Sequence, residues 1–213
     1  MTGVDIASNL VEAGQRRAEA EGLSNISFEV GDARDLSRFP DYTFDSVLSI
    51  FGAMFAPEPT QVAAEMVRVT RPCGRIVMGN WIPGDPTLVA QVLRICAAYT
   101  PAPPEGLISP VTWGIEDTVR ERFGAAGVAA SEINCTRETY TFELDAPPRE
   151  LLDRFRDYYG PTMGAYEAAW NNGRADELDA ELLELIESQN TSSEPSRTSI
   201  PATYLRVEVN LQL

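Results

Sequence analysis

The sequence predicts an α/β protein built on a mostly parallel β-sheet, and three observations lead to that prediction. Short apolar runs alternate with helix-length segments through the first part of the chain. Two of those runs end on an aspartate, Asp5 and Asp32. Apolar and polar residues then alternate from Tyr204 to Leu211, which is typical of a half-buried, antiparallel terminal strand near a sheet edge.

The first segment predicts a strand, a helix and a strand. Thr2 to Ile6 is a short strand, and Ser8 to Gly22 has the length of one helix, with a capping residue at its start and a glycine at its end. Ile26 to Val30 is the next strand. Because parallel strands present their carboxyl ends at one edge of a sheet, we expect Asp5 and Asp32 to face a common ligand crevice.

The same alternation continues as far as Trp81. Phe44 to Phe51 is a nearly continuous apolar run, which is typical of a strand buried on both faces. A helix follows, indicated by apolar residues at helical spacing: Val62, Met66 and Val69. Another apolar strand begins at Arg75 and reaches the same sheet edge through Gly79-Asn80-Trp81. Beyond it, residues 147–190 are predicted to form a helical insertion before the last strand.

Composition excludes several classes of function. The 213 residues carry a net charge of −15, which argues against nucleic acid or an anionic membrane as a partner. Lysine is absent, so a Schiff-base lysine and a P-loop lysine are excluded. Histidine is also absent, which excludes a Ser-His-Asp triad and histidine metal ligands. We expect no metal site.

The cysteines and the N-terminus predict a cytoplasmic protein. Cys73, Cys96 and Cys135 are far apart and odd in number, as expected for reduced thiols. The N-terminus has no signal-peptide pattern, and no apolar run reaches the length of about 18 residues that a membrane span needs.

Taken in order, these residues resemble the class I S-adenosylmethionine-dependent methyltransferases. The resemblance rests on six stretches: Gly3-Val4-Asp5-Ile6, Val30-Gly31-Asp32-Ala33, Phe39-Pro40-Asp41, Phe44 to Ser49, Glu65 to Arg75 and Ile76-Val77-Met78. It is nearest to the small-molecule branch that includes ubiquinone and menaquinone methyltransferases. It implies a Rossmann-like sheet, S-adenosylmethionine as cofactor and a small-molecule methyl acceptor.

The resemblance also implies roles for residues at matching positions. Asp5 would bind the ribose hydroxyls, since a carboxylate offers two acceptor oxygens to a vicinal diol. Asp32 would accept a hydrogen bond from the adenine amino group, and the Ala33 backbone N–H would face the ring. The remaining implied cofactor contacts are Ile6 on the adenine face and Ser49 and Phe51 near the methionine end.

An apolar pocket for the acceptor is predicted from Met54, Trp81 and Trp113, with ordinary core packing as the alternative for each. No residue is singled out as catalytic. Where an acceptor needs a general base, the absence of histidine leaves a carboxylate, a tyrosine or water. We expect a single domain over residues 1–213, with a cofactor-binding half (1–82) and a substrate-side half (83–213).

The sequence departs from the family at its N-terminus. The family's first strand and its Gly-rich loop should precede Asp5, so about 30 residues of a βα unit are missing. We therefore expect an N-terminally truncated sheet. Three explanations are open: a fragment or misassigned start, a strand supplied by a partner such as a second copy in a homodimer, or a degenerate relative. Cys73 also replaces a glycine at a turn.

Two other functions remain open at this point. One is a non-catalytic binding protein that keeps the methyltransferase fold, which the missing loop favours. The other is a nicotinamide-binding Rossmann enzyme, because an acid at the end of the second strand fits that class too.

Overall fold

A computed structural model describes residues 1–212, which contain six strands and seven α-helices. The strands are β1 (Thr2–Asp5), β2 (Ser27–Val30), β3 (Phe44–Ile50), β4 (Thr70–Trp81), β5 (Ile133–Leu144) and β6 (Thr198–Asn210). The helices are α1 (Ser8–Ala20), α2 (Pro59–Val69), α3 (Leu88–Tyr99), α4 (Glu116–Ala125), α5 (Pro148–Tyr158), α6 (Gly160–Asn171) and α7 (Ala175–Gln189). None of the helices in this part of the chain is both long enough and apolar enough to cross a membrane.

The strands form two separate sheets. β1 and β2 pair in parallel, with Thr2 opposite Ser27 and Asp5 opposite Val30. The second sheet has the order β3-β4-β6-β5, and β3 runs parallel to β4. Because parallel neighbours need a crossover, α1 connects the first pair and α2 connects the second. The predicted α/β class is therefore confirmed, with a mixed arrangement of strands and helices.

Strand β3 is exposed, and the prediction that it is buried on both faces is wrong. Leu48 is 61% exposed and Ile50 is 57% exposed. The physical reason is that β3 is the end of its sheet: β4 pairs along one edge, and no described strand pairs along the other. β1 likewise has β2 as its one partner among the described residues. β1 and β3 thus each have a parallel neighbour along one edge and no described strand along the other.

The chain divides into two compact units, each made of separate stretches of sequence. The first comprises residues 1–79, residues 108–135 and the segment from Val207 onward, and the second comprises residues 80–107 and 136–206. In the first unit, α2 packs against α4. The predicted helical stripe of α2 is buried there, together with apolar residues of α4: Val62, Met66, Val69, Val119 and Phe123.

In the second unit, α3 packs against α6 and α7. The predicted helical insertion is present as α5, α6 and α7. Leu178, Leu182 and Ile186 recur along one face of α7 and are fully buried, which is the stripe expected of a helix with one apolar side. These helices are held by burial of that stripe.

The predicted alternation of the last strand is confirmed. Leu205, Val207 and Val209 are buried, whereas Tyr204 and Arg206 are half-buried. β6 lies near the sheet edge as expected, second from the end, with β5 as the edge strand. β4 and β5 pair along its two backbone edges, so β6 has no free edge.

Cys73 occupies a bulge of β4 in a left-handed conformation, with φ of 60°. The register of β3 against β4 shifts at this bulge. A side chain in this conformation costs about 1–2 kcal/mol, whereas glycine adds about 0.4–1 kcal/mol of unfolded-state entropy. We expect Cys73→Gly to raise the free energy of unfolding by about 0.5 kcal/mol, measured by urea denaturation.

The neighbouring glycine supplies the control. A Cβ atom at Gly74 would lie 2.8 Å from the Arg71 carbonyl oxygen, so Gly74→Ala is expected to destabilise the protein. If Cys73→Gly proves less stable than the parent chain, the bulge does not store the strain assigned to it.

Candidate cofactor site

The ends of β1 and β2 place two carboxylates at one edge of the first sheet. Asp5 ends β1 opposite Val30, and the Gly31 backbone N–H donates to the Asp5 carbonyl at 3.0 Å. A Cβ atom at Gly31 would lie 2.8 Å from Val4 Cγ1, so glycine allows the two strand ends to approach closely. The Asp5 carboxylate is exposed and accepts a hydrogen bond from the Ala7 N–H at 2.8 Å. This hydrogen bond orients Asp5 at the start of α1.

Asp32 lies two residues beyond the end of β2 and is paired with Arg34. Its Oδ2 atom is 2.7 Å from Arg34 Nη2, and its Oδ1 atom accepts the Arg34 backbone N–H at 2.9 Å. These hydrogen bonds, the side-chain bonds first, hold the pKa of Asp32 below its usual value. Arg34 also donates to Glu58 at 2.9 Å. The predicted adenine-binding carboxylate is therefore engaged by a cation that the sequence analysis did not consider.

Ile6 and Ala33, the residues that follow the two aspartates, differ in exposure. Ile6, next to Asp5, is 71% exposed, which leaves an apolar surface beside the carboxylate. Ala33, next to Asp32, is half-buried. An exposed isoleucine at a strand end is suited to packing on the flat face of a ring.

The turn after β3 is shaped by Ser49 and Phe51. Ser49 Oγ accepts the Ala53 backbone N–H at 2.9 Å, which fixes the start of a 3-10 helix, Ala53–Phe55. Phe51 adopts a left-handed conformation with φ of 57°, and its N–H donates to the Gly79 carbonyl at 2.9 Å. The carboxyl ends of β3 and β4 are thereby tied together at this turn.

Met54 and Trp113 lie in two 3-10 helices of the first unit that contact each other, Ala53–Phe55 and Pro110–Gly114. Each side chain is 1% exposed. The Trp113 ring packs edge-to-face against Phe123, with 6.0 Å between ring centroids. The structure thus brings together the elements that carry two of the three predicted acceptor-binding residues, although both side chains are packed as core residues are.

Trp81, the third of these residues, belongs to the second unit. It is 4% exposed and packs edge-to-face against Tyr204 at 6.4 Å. Tyr159 belongs to the same unit, and burial raises the pKa of its hydroxyl. The Asn80 side chain beside Trp81 is 1% exposed, and neither polar atom of its amide has a hydrogen-bond partner.

Sequence reasoning missed two arginines of the first unit. Arg34 stands two residues after Asp32, so the sequence shows that the two residues are near each other. It does not show that the Arg34 guanidinium binds the Asp32 carboxylate instead of pointing into solvent. Arg122 lies with its Cζ atom 4.5 Å from the centroid of the Trp113 ring. A contact of that kind has no pattern in the sequence that would reveal it.

The part of the chain that contains these two carboxylates is similar to a family of known proteins. Residues 1–78 match the family described as a methyltransferase domain. That stretch contains β1, α1, β2, β3 and α2, and thus Asp5 and Asp32. This part of the chain is therefore similar to a methyltransferase domain.

Relatives extend the similarity over most of the chain. Uncharacterized protein Rv1403c of Mycobacterium tuberculosis is 34% identical over 186 residues, which are 87% of this chain and 65% of that protein. Nocamycin O-methyltransferase of Saccharothrix syringae is 31% identical over 161 residues, covering 71% of this chain and 57% of that enzyme. The chain thus spans about two thirds or less of the length of these relatives.

A solved structure shares the fold over the whole chain. The crystal structure of a putative methyltransferase from Bacillus halodurans C-125 superposes with a TM-score of 0.60, at 16% identity, over 100% of this chain and 83% of that one. This likeness confirms the Rossmann-like fold that the sequence resemblance implies.

Proposed function

We propose that this chain transfers a methyl group from S-adenosylmethionine to a small-molecule acceptor. One observation carries the proposal: the β1–β2 pair delivers Asp5 and Asp32 to a single sheet edge inside the segment that matches a methyltransferase domain. Support for a small acceptor comes from the relative named nocamycin O-methyltransferase and from the charge of −15, which disfavours nucleic acid. A position in the ubiquinone and menaquinone branch and in the cytoplasm remains part of this proposal.

The residues at the edge fit the cofactor in part. Asp5 is exposed and has acceptor capacity for the ribose hydroxyls, and Ile6 offers an apolar surface for adenine. Asp32 fits the adenine amino group once Arg34 releases part of its carboxylate, because Arg34 now donates to both oxygens. Ala33, Ser49 and Phe51 are proposed to complete the contacts.

S-adenosylmethionine, when bound, supplies an electrophilic methyl group for in-line displacement. The contribution of the chain is to align the acceptor and to exclude water from the reacting atoms. Met54, Trp81 and Trp113 are the proposed apolar contacts of the acceptor. Burial raises the pKa of Tyr99, Tyr159, Tyr166 and Tyr204, so none of these phenols is primed as a base. A carboxylate or water remains for acceptors that must lose a proton.

We further propose that the complete cofactor site contains one more parallel strand, between β1 and β3. The open edges of both strands and the exposure of Leu48 and Ile50 support it. A central parallel strand is apolar on both faces and would cover such a surface. The Gly-rich loop that the resemblance expects would follow that strand and hold the methionine portion.

A second function is favoured by a specific observation. The ion pair between Asp32 and Arg34 occupies the adenine-binding carboxylate, and a chain that does not bind the cofactor would keep such a pair permanently. A non-catalytic binding protein with this fold is therefore the alternative to the enzyme.

Calorimetric titration with S-adenosylhomocysteine distinguishes the two. We expect micromolar binding by the 213-residue chain, weakened about tenfold or more in Asp5→Ala and in Asp32→Ala, since each removes hydrogen bonds to a charged group worth about 1.5–3 kcal/mol. Glu12→Ala, an exposed acid on α1, is the control and should bind as the parent does. A folded chain that binds no S-adenosylhomocysteine would contradict methyl transfer by these 213 residues. Binding restored by adding the proposed strand and its Gly-rich loop would then favour the enzyme, and no binding after that addition would favour the non-catalytic alternative.

A further inference from the structure

Helix α4 carries an arginine on its buried face. Arg122 is 5% exposed and is followed by Phe123, which is fully buried. One terminal nitrogen, Nη2, donates to Thr112 Oγ1 at 2.6 Å, and Thr112 in turn donates to the Ser109 carbonyl. The other terminal nitrogen, Nη1, is buried and has no hydrogen-bond partner. One of the two terminal nitrogens of the guanidinium therefore makes no hydrogen bond.

The charge of Arg122 has no counter-ion. Among residues 1–212, no carboxylate lies within ion-pair distance of its guanidinium, whereas Arg34, Arg68 and Arg149 each pair with two carboxylates. The exposed side chain of Glu121 attracts it only at longer range. Burial outweighs that attraction and lowers the pKa of Arg122.

A second unpartnered donor accompanies this cation. The guanidinium lies over the ring of Trp113, with 4.5 Å from Cζ to the ring centroid. Trp113 is 1% exposed, and its Nε1–H is also buried without a partner. Both groups can donate and neither can accept, so together they require an acceptor.

The packing around Arg122 does not compensate for this arrangement. Contact with an aromatic face attracts a cation, but the cost of removing an unpaired ion from water is larger. Buried arginines are normally stabilised by a carboxylate or phosphate that takes two parallel hydrogen bonds. Residues 1–212 supply no such group here, which points to an anion from outside this part of the chain.

The position of the pair fits the methyl acceptor. Thr112 and Trp113 belong to the 3-10 helix Pro110–Gly114, which contacts the helix Ala53–Phe55 just beyond the carboxyl end of β3. In open α/β sheets, ligands bind outside the carboxyl ends of the strands. The unpartnered donors thus lie in the same unit as Asp5 and Asp32 and close to the turn that contains Met54.

We propose that Arg122 and Trp113 bind a carboxylate of the methyl acceptor, so that the acceptor class is a small carboxylic acid with an apolar body. This inference rests on the proposed methyltransferase function. Since Nη1 and the Trp113 Nε1 are both buried, binding requires the packing around them to open locally.

A carboxylate is favoured over a phosphate by charge and by shape. One guanidinium carries one positive charge, which a carboxylate balances, whereas a phosphate group would leave excess negative charge in a chain with a net charge of −15. The planar carboxylate also matches one guanidinium nitrogen and one indole N–H. The apolar body suits Met54 and the ring of Trp113.

Benzoate is the probe, since it joins a carboxylate to an apolar ring. We expect millimolar benzoate, but not equal inorganic phosphate, to raise the thermal unfolding midpoint of the 213-residue chain, because a ligand of the folded state stabilises it. In Arg122→Met, benzoate binding measured by calorimetry should weaken about tenfold or more. Trp113→Phe keeps one aromatic six-membered ring and removes the five-membered ring with its N–H, while Arg122 stays in place, so a smaller loss of benzoate binding is expected.

The unliganded variants give a readout that a purely structural arginine would not. Replacing an unpaired buried charge by an apolar side chain of similar length should raise the unfolding midpoint of Arg122→Met. The matched control is Arg120→Met, two residues earlier on α4, whose guanidinium donates to the carbonyls of Ala130 and Ile133. That variant should lower the midpoint and keep benzoate binding.

Each other outcome overturns the inference in a recognisable way. If Arg122→Met binds benzoate as tightly as the parent chain does, Arg122 is not part of the site. If phosphate stabilises the parent chain more than benzoate does, the ligand is a phosphate and not a carboxylate. Loss of S-adenosylhomocysteine binding in Arg122→Met would mean that Arg122 and Trp113 bind the cofactor and not the methyl acceptor. A parent chain that binds benzoate but no S-adenosylhomocysteine keeps the carboxylate site and contradicts the methyltransferase function. No effect of benzoate on the parent chain contradicts the site itself.

Discussion

Replacing Asp179 with alanine is expected to lower the free energy of unfolding by about 2–3 kcal/mol. The carboxylate accepts hydrogen bonds from Arg149 Nη1 and Nη2 at 2.5 and 2.8 Å and from the Tyr166 hydroxyl at 2.8 Å. Its side chain is 26% exposed. The substitution leaves the two terminal nitrogens of Arg149 and the Tyr166 hydroxyl without this acceptor, while Arg149 keeps its Nε contact with Asp153 at 3.3 Å, and urea denaturation measures the cost.

The same carboxylate makes stability depend on pH. Hydrogen bonds from Arg149, reinforced by Tyr166, hold the pKa of Asp179 below its usual value. A lowered pKa in the folded state means that the contribution is fully present above the unfolded value of about 4 and is lost as pH falls through the folded value. The difference in stability between the parent and Asp179→Ala should therefore shrink below about pH 4.

An acid on the same helix supplies the control for this prediction. Asp176 is exposed in the first turn of α7, so Asp176→Ala should change the free energy of unfolding by no more than about 0.5 kcal/mol. Equal effects of the two substitutions, or a difference that is constant down to acidic pH, would show that the Arg149–Asp179–Tyr166 network adds nothing to stability.

Strand β3 leads to the second large effect, which concerns self-association. Its free edge and the exposed side chains of Leu48 and Ile50 form an apolar surface of the kind that pairs with another chain. We expect the 213-residue chain to associate in a concentration-dependent way. The double variant Leu48→Lys/Ile50→Lys should weaken that association about thirtyfold or more, measured by analytical ultracentrifugation.

The chain contains a matched control with the same two residue types. Leu107 and Ile108 are 53% and 52% exposed in a loop, so Leu107→Lys/Ile108→Lys adds the same charges without touching a strand edge. This control should associate as the parent does. A parent chain that stays monomeric at every concentration, or two double variants that behave alike, would mean that β3 is not an interface.

The sequence predicts features whose burial repeats along one element. The stripe Leu178, Leu182 and Ile186 on α7 and the alternation Leu205, Val207 and Val209 on β6 are both buried as expected. Local spacing is sufficient for these because each element turns the same face to its neighbours throughout. The aspartates at the ends of β1 and β2 were equally readable, since strand ends are marked by a change from apolar to polar residues.

Features that depend on a neighbour elsewhere in the chain were not readable. Phe44 to Phe51 has the composition of a buried strand, but its exposure depends on whether a strand lies along each of its edges, and among the described strands only β4 does. The partner of Asp32 depends on how the Arg34 side chain turns. That Arg122 lacks a counter-ion is visible only in the folded structure, because it depends on where all of the described acidic side chains lie.

The interleaving of the two compact units has a consequence for how this protein is made. The first unit begins at residue 1 but includes the segment from Val207 onward, and the Leu211 N–H donates to the Gly74 carbonyl of β4. A ribosome releases residue 1 long before residue 207. The unit with the candidate cofactor site therefore cannot complete its contacts before the segment from Val207 emerges, and until then its nascent form remains a target for chaperones and proteases.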